Sequence, residues 1–398
     1  MRSDTVAGMS LARLVWSAEL LRYDFGRGHP MSPARLDLTM RLVEELGLLD
    51  TPGLEVVGVG PAPDALLETV HDPAYVAAVR RASEGVPDPA RGLGTEDDPV
   101  FPGMHEAAAR LVAGSVDVAQ AVWEGRVQHG LNIAGGMHHA RRDAASGFCI
   151  YNDAGAAIQR LLDDGARRVA YIDLDAHHGD GVEGLFWDEP QVLTVSVHQD
   201  GHTLFPGTGN PADVGGARAQ GTAVNVALPP RTGSAAWLRA VDAVVPAVVR
   251  EFRPDVIVSQ HGADAHARDP LSDLRVSVDA QRHGARIVHG LAHELCDGRW
   301  VALGGGGYAV VDVVPLVWSS LVAEALHRPL DLALPLPSSW RAEVAEASGL
   351  DAARVLGVEE VEWRPWATGY DPGDDVDRAV LATRKHVFPL WGLDPYHD

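Results

Sequence analysis

Residues 169–180 restrict the fold of this chain more than any other stretch. An apolar run at 169–172 leads into three aspartates and two histidines within the next eight residues. Because successive side chains of a strand point to opposite faces, Asp173, Asp175 and His177 would share one side. A buried strand seldom carries three ionisable groups on one face, since each is costly to bury unless it is paired or bound to a metal. The stretch therefore predicts a buried strand that ends at a divalent-metal site, rather than a solvated surface loop.

Short apolar segments alternate with helical segments along most of the chain. The predicted strands are residues 14–16, 54–59, 132–134, 169–174, 192–197, 224–228, 256–259 and 300–303, and the predicted helices are residues 33–47, 72–85, 106–123, 154–162 and 235–252. This alternation indicates the α/β class, with an open, mostly parallel sheet covered by helices on both faces. In such sheets, ligands bind beyond the carboxyl ends of the strands.

The amino-acid composition of the chain changes near residue 329. Residues 1 to about 10 are expected to form a loose leader, and residues 86–103 a functional surface loop rich in Pro, Gly and Asp. We expect one domain at residues 1–328 that carries the chemistry. Residues 329–398 would form a C-terminal extension packed on the same domain, because their aromatic residues need a surface to dock on. Those aromatics are Trp363, Trp366, Trp391 and Tyr396.

Charge and composition exclude several classes of partner. The formal net charge of −22 over 398 residues argues against a nucleic-acid partner. It fits a cationic substrate, although an acidic surface for solubility fits equally well. The longest apolar stretch, residues 310–326, contains Asp312, Pro315 and Glu324, so no membrane span is expected. Two cysteines make no disulfide framework, and the N-terminus lacks a signal-type apolar core, so we expect a cytoplasmic protein.

Six motifs in chain order carry a resemblance to a known family. They are Gly135-Gly-Met-His-His-Ala, Ser146-Gly-Phe-Cys, Asp173-Leu-Asp-Ala-His-His-Gly-Asp-Gly, Phe205-Pro-Gly-Thr-Gly, His261-Gly-Ala-Asp and Gly304-Gly-Gly-Gly-Tyr. Together they resemble the zinc-dependent histone deacetylase-like amidohydrolases, from about residue 14 to 327. Residues 21–26, 94–97 and 395–398 are similar to the bacterial acetoin-utilisation deacetylases within that family. The resemblance implies an arginase/deacetylase-like fold.

The resemblance makes Asp175, His177 and Asp264 the metal ligands. Three N/O ligands leave a position open for water and substrate, which is the catalytic pattern. The set suits Zn²⁺, although Fe²⁺ or Co²⁺ fits as well because no soft ligand selects zinc. Cys149 is not needed as a ligand. Ser196, together with residues 173–177, could hold a structural monovalent cation.

The paired histidines are the candidate acid–base groups. In the family, His138 pairs with Asp173 and His139 with Asp180, and such a carboxylate fixes the tautomer of the imidazole and raises its basicity. The resemblance assigns His139 as the general base toward the attacking water and then as the general acid toward the leaving amine. His138 is assigned to electrostatic support.

The remaining assignments concern the substrate. The family places Tyr308, after four glycines, beside the amide oxygen on which charge develops. Phe148 and Phe205 would form the walls of an apolar tunnel for the lysine methylenes, although either could be plain core. Gly147 would accept a hydrogen bond from the substrate amide.

Two assignments stay open, and other histidines receive structural roles. Either Asp97 or Asp98 would hold the substrate backbone at the rim. Arg35 resembles an arginine that lines an internal acetate-release channel, and a surface ion pair on a helix is the equal alternative. The histidines interpreted as structural are His71, His178, His198 and His266.

The function implied by the resemblance is hydrolysis of N-ε-acetyl-lysine in proteins, which releases acetate and free lysine. Acetyl-CoA synthetase, in acetoin and acetate metabolism, is an expected substrate. An acetylpolyamine amidohydrolase is the first alternative, because it would share every catalytic residue. An arginase-type ureohydrolase would need further aspartates for a second Mn²⁺. A non-catalytic acetyl-lysine reader would be expected to lack Tyr308 or one of the paired histidines.

Overall fold

The computed structural model describes residues 10–358 and 360–398. The expected leader at residues 1 to about 10 thus lies outside the described residues, apart from Ser10, which begins the first strand. Within the described ranges, the strands are β1 (Ser10–Val15), β2 (Leu54–Val57), β3 (Val127–Asn132), β4 (Val169–Asp173), β5 (Val192–Gln199), β6 (Ala223–Leu228), β7 (Val256–Gln260) and β8 (Trp300–Leu303).

The α-helices lie between most of these strands and also follow β8. They are α1 (Ala34–Glu45), α2 (Asp64–Leu67), α3 (Pro73–Ser83), α4 (Met104–Trp123), α5 (Asp153–Asp163), α6 (Asp180–Phe186), α7 (Ser234–Phe252), α8 (Val278–Leu295), α9 (Val314–Ala325), α10 (Ser338–Ser348) and α11 (Asp375–Val387). In the described part of the chain, no helix combines the length and the apolar character that crossing a membrane requires.

One parallel sheet organises the molecule. Its strands run in the order β2-β1-β3-β8-β7-β4-β5-β6, and every adjacent pair is parallel. Every residue of β4, β5, β7 and β8 is buried. Because successive side chains point to opposite faces, complete burial means that both faces of the central sheet are covered. The α/β class with a parallel sheet is confirmed.

Two predicted strands were placed too far along the chain: residues 14–16 share two positions with β1, and residues 132–134 share one with β3. The prediction of a strand at residues 132–134 is wrong, since the strand is Val127–Asn132. The interior of this strand contains a polar residue and a glycine. His129 is buried and contacts the carbonyl oxygen of Ala325 at 2.6 Å. Gly130 lies against Val118, and a Cβ at this position would approach the valine Cβ to 2.7 Å. Partners elsewhere in the fold, rather than an apolar sequence pattern, make this segment a buried strand.

The residues after 329 pack against the earlier part of the chain. Asp377 of α11 forms a buried ion pair with Arg239 of α7. The Thr383 hydroxyl donates to the carbonyl oxygen of Asn225 at 2.5 Å, and the Trp340 indole N–H donates to that of Leu38 at 2.9 Å. These contacts support our proposal that residues 329–398 extend the domain formed by residues 1–328.

Candidate metal centre

Loops after four neighbouring strands of the sheet meet at its carboxyl edge. The strands β3, β8, β7 and β4 are consecutive in the sheet, so their following loops lie side by side although they are far apart in sequence. These loops carry residues 135–140, 304–308, 261–264 and 174–180 respectively. The fold therefore gathers four of the six sequence motifs at one place, as expected for a ligand site in an open α/β sheet.

The structure brings together Asp175, His177 and Asp264. The His177 Nδ1 atom lies 2.9 Å from Asp264 Oδ2 and 3.2 Å from Asp175 Oδ1, and all three side chains are buried. Burial and the neighbouring Asp175 carboxylate raise the pKa of Asp264 to about 7, because two carboxylates side by side resist ionising together. One imidazole nitrogen and two carboxylate oxygens within 4.8 Å of one another fit a divalent cation, which would relieve that repulsion.

The backbone around the trio holds its carboxylates in place. The Gly306 N–H donates to Asp175 Oδ2 at 2.7 Å, and the Ala176 N–H donates to Asp264 Oδ1 at 2.9 Å. A Cβ at Gly306 would overlap Asp264 Oδ2. Glycine is therefore required at this point of the 304–307 loop, since any larger residue would displace a candidate ligand.

Beside the trio, two histidines are each backed by a carboxylate. His138 Nδ1 lies 2.7 Å from Asp173 Oδ2, and His139 Nδ1 lies 2.7 Å from Asp180 Oδ1. The two Nε2 atoms are 3.0 Å apart. Since a carboxylate accepts, each Nδ1 carries a proton and each Nε2 points toward the site.

The two imidazoles hold a proton with different affinity. Burial opposes protonation of His138, but the Asp173 and Asp175 carboxylates outweigh it and raise its pKa to about 9. Burial, together with the charge on His138, lowers the pKa of His139 to about 3. His139 is thus the neutral member of the pair, and its Nε2 can accept a proton from a reacting group.

A cavity of about 200 Å³ opens above these residues. Its lining consists of Asp97, His139, Gly147, Phe148, His177, Leu204, Phe205, Leu271 and Tyr308. The Phe148 and Tyr308 rings are 5.6 Å apart, and the Phe205 ring lies 5.0 Å from that of His139. A Cβ at Gly147 would come within 2.6 Å of the His139 ring and 2.8 Å of the Phe205 ring. Glycine is therefore needed at this position to leave the cavity, hereafter the slot, open.

The structure separates the two residues considered for the rim. Asp97 is exposed and lines the cavity, whereas Asp98 is only 1% exposed and points into the protein. Burial, with the nearby Asp97 charge, raises the pKa of Asp98 to about 8. Asp97 is therefore the member of the pair that lies at the rim, and its role toward the substrate stays a prediction.

Arg35 lies inside the protein rather than on a helix surface. It is buried, donates to the carbonyl oxygen of Gly305 at 2.8 Å, and lies over the Trp318 ring at 5.1 Å. The alternative of a surface ion pair is wrong. A small cavity lined by Arg35, Tyr23 and Met137 reaches the loop that carries the paired histidines, and the acetate-channel role stays a prediction.

The histidines interpreted as structural have protein partners. His178 contacts Thr208 Oγ1 and Glu183 Oε2, and His71 contacts the carbonyl oxygen of Arg141 and the N–H of Asn152. His198 contacts the Ser196 hydroxyl and the carbonyl oxygen of Gly209. His266 accepts a hydrogen bond from the N–H of Arg268. Ser196 is thus engaged with His198, and the monovalent-cation site stays a prediction.

Sequence reasoning missed three residues that position the site. The Asp269 carboxylate accepts the N–H of Tyr308 at 2.8 Å, and the Gln260 amide donates to Asp175 Oδ2 at 3.3 Å. The His29 ring packs on Phe148 at 4.6 Å, near the rim. None belongs to a motif, although Gln260 directly precedes one. Its place at the carboxyl end of the buried strand β7 is the signal that could have found it.

Comparisons with known proteins agree with this geometry. The profile of the histone deacetylase domain matches residues 29–325. The acetoin utilization protein AcuC of Bacillus subtilis (strain 168) is 41% identical over 330 residues, which cover 82% of this chain and 84% of that protein. AcuC of Staphylococcus xylosus is 38% identical over 373 residues, covering 86% and 96%. The crystal structure of an HDAC homolog from Aquifex aeolicus superposes with a TM-score of 0.81 at 27% identity, covering 94% and 99% of the two chains. The chain therefore belongs to the histone deacetylase family.

Proposed function

We propose that this deacetylase hydrolyses N-ε-acetyl-lysine in proteins and releases acetate and free lysine. The observation that carries the proposal is the convergence of Asp175, His177 and Asp264 with two carboxylate-backed histidines at the floor of one slot. A divalent ion held by the trio would polarise the amide carbonyl and lower the pKa of a water. We propose Zn²⁺ for this ion, with Fe²⁺ or Co²⁺ as alternatives, because the donors are nitrogen and oxygen alone.

His139 moves the proton in both halves of the proposed reaction. Its Nε2 accepts a proton from the attacking water as the new C–O bond forms. The same proton then passes to the lysine nitrogen as the C–N bond breaks, so that a neutral amine can leave. Asp180 holds the imidazole in the tautomer that this transfer needs. His138, held by Asp173, supports the negative charge that develops.

Tyr308 and the apolar walls act on the substrate directly. Burial raises the pKa of the Tyr308 hydroxyl well above its ordinary value, so the hydroxyl stays protonated and can donate to the amide oxygen as charge develops there. Phe148 and Phe205 line the slot around the lysine methylenes. The carbonyl oxygen of Gly147 and the carboxylate of Asp97 are the proposed acceptors for the substrate amide and the substrate backbone.

Replacing Tyr308 by Phe tests the proposal. We expect the turnover of an acetyl-lysine peptide to fall by about 10²–10³, since one donor to the developing charge is lost. Metal content serves as the control and should be unchanged, because Tyr308 is not a ligand. Acetate release within a few-fold of the parent would contradict this role.

Acetylpolyamines are a second candidate substrate. The net charge of −22 and the exposed Asp97 at the mouth favour a cationic molecule. Phe205 is 43% exposed at the same mouth, and such an open apolar rim favours a peptide substrate. A competition assay with acetyl-lysine peptide and acetylputrescine separates the two, because the preferred substrate has the higher kcat/KM in the mixture.

The remaining alternatives have less support. An arginase-type centre needs further carboxylates to bind a second ion. Here Asp173 pairs with His138 and Asp180 with His139, so these two carboxylates already have histidine partners. A non-catalytic reader has no use for this proton-transfer pair. Release of urea from arginine, or binding of acetyl-lysine peptide without any acetate release, would favour one of these alternatives.

Acetyl-CoA synthetase is the protein substrate that we propose first. The support is the name of the AcuC relatives, which refers to acetoin utilization. Incubation of the metal-loaded protein with an acetylated proteome, followed by mass spectrometry, would identify the lysines that lose acetyl groups. If acetyl-lysines of the synthetase persist while other proteins lose their acetyl groups, the synthetase is excluded as a substrate.

A further inference from the structure

Four histidines converge at the edge of the sheet opposite the deacetylase site. His129 is near the start of β3, opposite Trp300, the first residue of β8. His289 and His293 lie in the last two turns of α8, and His327 follows the end of α9. One nitrogen of each imidazole lies within 4.8 Å of the others. The proposed deacetylase machinery uses none of these side chains.

Partners on the outer nitrogens set the tautomers of the two buried rings. His129 Nδ1 lies 2.6 Å from the carbonyl oxygen of Ala325, and His289 Nδ1 lies 2.9 Å from the Glu324 carboxylate. Because both partners accept, each Nδ1 carries the proton and each Nε2 presents a lone pair to the cluster. A carboxylate or a carbonyl behind the second nitrogen is the usual arrangement of a metal-binding histidine.

Within the described part of the chain, one inner nitrogen has no hydrogen-bond partner, and two others pair with each other. Among residues 10–358 and 360–398, buried His129 Nε2 finds no hydrogen-bond partner, and an unpaired buried polar atom is costly. His289 Nε2 and His293 Nε2 face each other at 3.0 Å. Nitrogens bound to one tetrahedral Zn²⁺ would be about 3.3 Å apart, so modest side-chain rotations would suffice to bind an ion.

We propose that His129, His289, His293 and His327 form a second metal site, which binds one divalent ion of the Zn²⁺, Ni²⁺ and Cu²⁺ group. Four imidazoles without a thiolate suit these ions rather than Mg²⁺ or Ca²⁺. The set is closed, with four protein ligands, which is typical of structural rather than catalytic sites. The ion would join β3, α8 and the end of α9. His293 and His327 are exposed, so the ion can enter from solvent.

Zinc content tests the site in the full chain, purified without a histidine tag. The double variant His293→Asn/His327→Asn removes the two exposed ligands, and Asn tolerates the positive φ of 53° at residue 327. After equilibrium dialysis against Zn²⁺, the parent is expected to hold one more zinc per chain than this variant. Deacetylase activity should stay within twofold, because neither residue lies in the slot. The exposed pair His386→Asn/His397→Asn is the matched control and should keep the parent's zinc content.

A second measurement tests the site without the double variant, in case that variant folds poorly. In the parent loaded with Cu²⁺, the electron paramagnetic resonance spectrum should show an all-nitrogen site, and the single variant His293→Asn should lose it. Equal zinc content in parent and double variant, or the same Cu²⁺ spectrum in parent and His293→Asn, would overturn the proposal. Neither outcome depends on whether the deacetylase site is loaded.

Discussion

His139 carries the proton transfer in our account, and its replacement is the sharpest test at the scale of a single residue. His139→Ala should reduce turnover by about 10²–10⁴ and leave the metal content unchanged, because its imidazole pairs with Asp180 and is not itself a candidate ligand of the ion. Steady-state acetate release and metal analysis on the same sample check both parts. Activity within a few-fold of the parent would remove His139 from the mechanism.

Asp98 is expected to make stability depend on pH. Its pKa of about 8 exceeds that of an unfolded aspartate, about 3.9, so the folded chain binds more protons between these values. Stability therefore decreases as the pH rises from about 4 to about 8. Asp98→Asn should remove this decrease, and its free energy of unfolding in urea should gain on the parent between pH 5 and pH 8. Glu96→Gln, at a neighbouring exposed position, should parallel the parent, and a parallel curve for Asp98→Asn would refute the assignment.

Single residues could be predicted from the sequence where a short motif supplies the side chains that metal binding or proton transfer requires. Asp175, His177 and the His138-His139 pair belong to such patterns, and the structure gathers them. Asp269 and Gln260 could not be predicted, because their roles come from contacts with Tyr308 and Asp175 across the fold. The four-histidine cluster shows the same limit, since its members come from β3, α8 and the residues after α9, and no motif groups them.

Among the secondary-structure elements, α11 offers the clearest energetic prediction. Asp377 on this helix accepts hydrogen bonds from both Arg239 and Arg364, and its side chain is fully buried. Asp377→Ala should cost about 3–5 kcal/mol of unfolding free energy, because the buried Arg239 charge loses its partner. Urea unfolding measures the cost, and exposed Asp375→Ala on the same helix is the control. Equal losses in the two variants would mean that α11 does not depend on this ion pair.

Elements with regular apolar patterns were predicted well. The strands β4 and β8 and the helix α7 were found within two residues of their bounds. The strand β3 was misplaced because polar residues and a glycine interrupt it, and its buried His129 is compensated by Ala325. The helix α8 was not predicted, although its buried residues recur at helical spacing along one face. Compensation by distant partners hides an element such as β3 from reasoning on periodicity.

At the scale of the whole molecule, the charge of −22 should influence the encounter with substrate. For an acetyl-lysine peptide with flanking lysines or arginines, kcat/KM should fall as salt is raised, because screening weakens long-range attraction. A peptide of the same length with neutral flanks is the control and should change little. The same salt dependence for both peptides would show that the acidic surface serves solubility alone.

Hydrolysis is proposed to depend on an ion held by Asp175, His177 and Asp264. Acetate release from an acetyl-lysine peptide, measured on the chain stripped by a chelator and again after Zn²⁺ is returned, tests it most directly. We predict no release from the stripped chain, recovery on addition of Zn²⁺, and no recovery in Asp264→Asn. Release at the parent rate from the stripped chain, or full recovery in Asp264→Asn, would contradict the account.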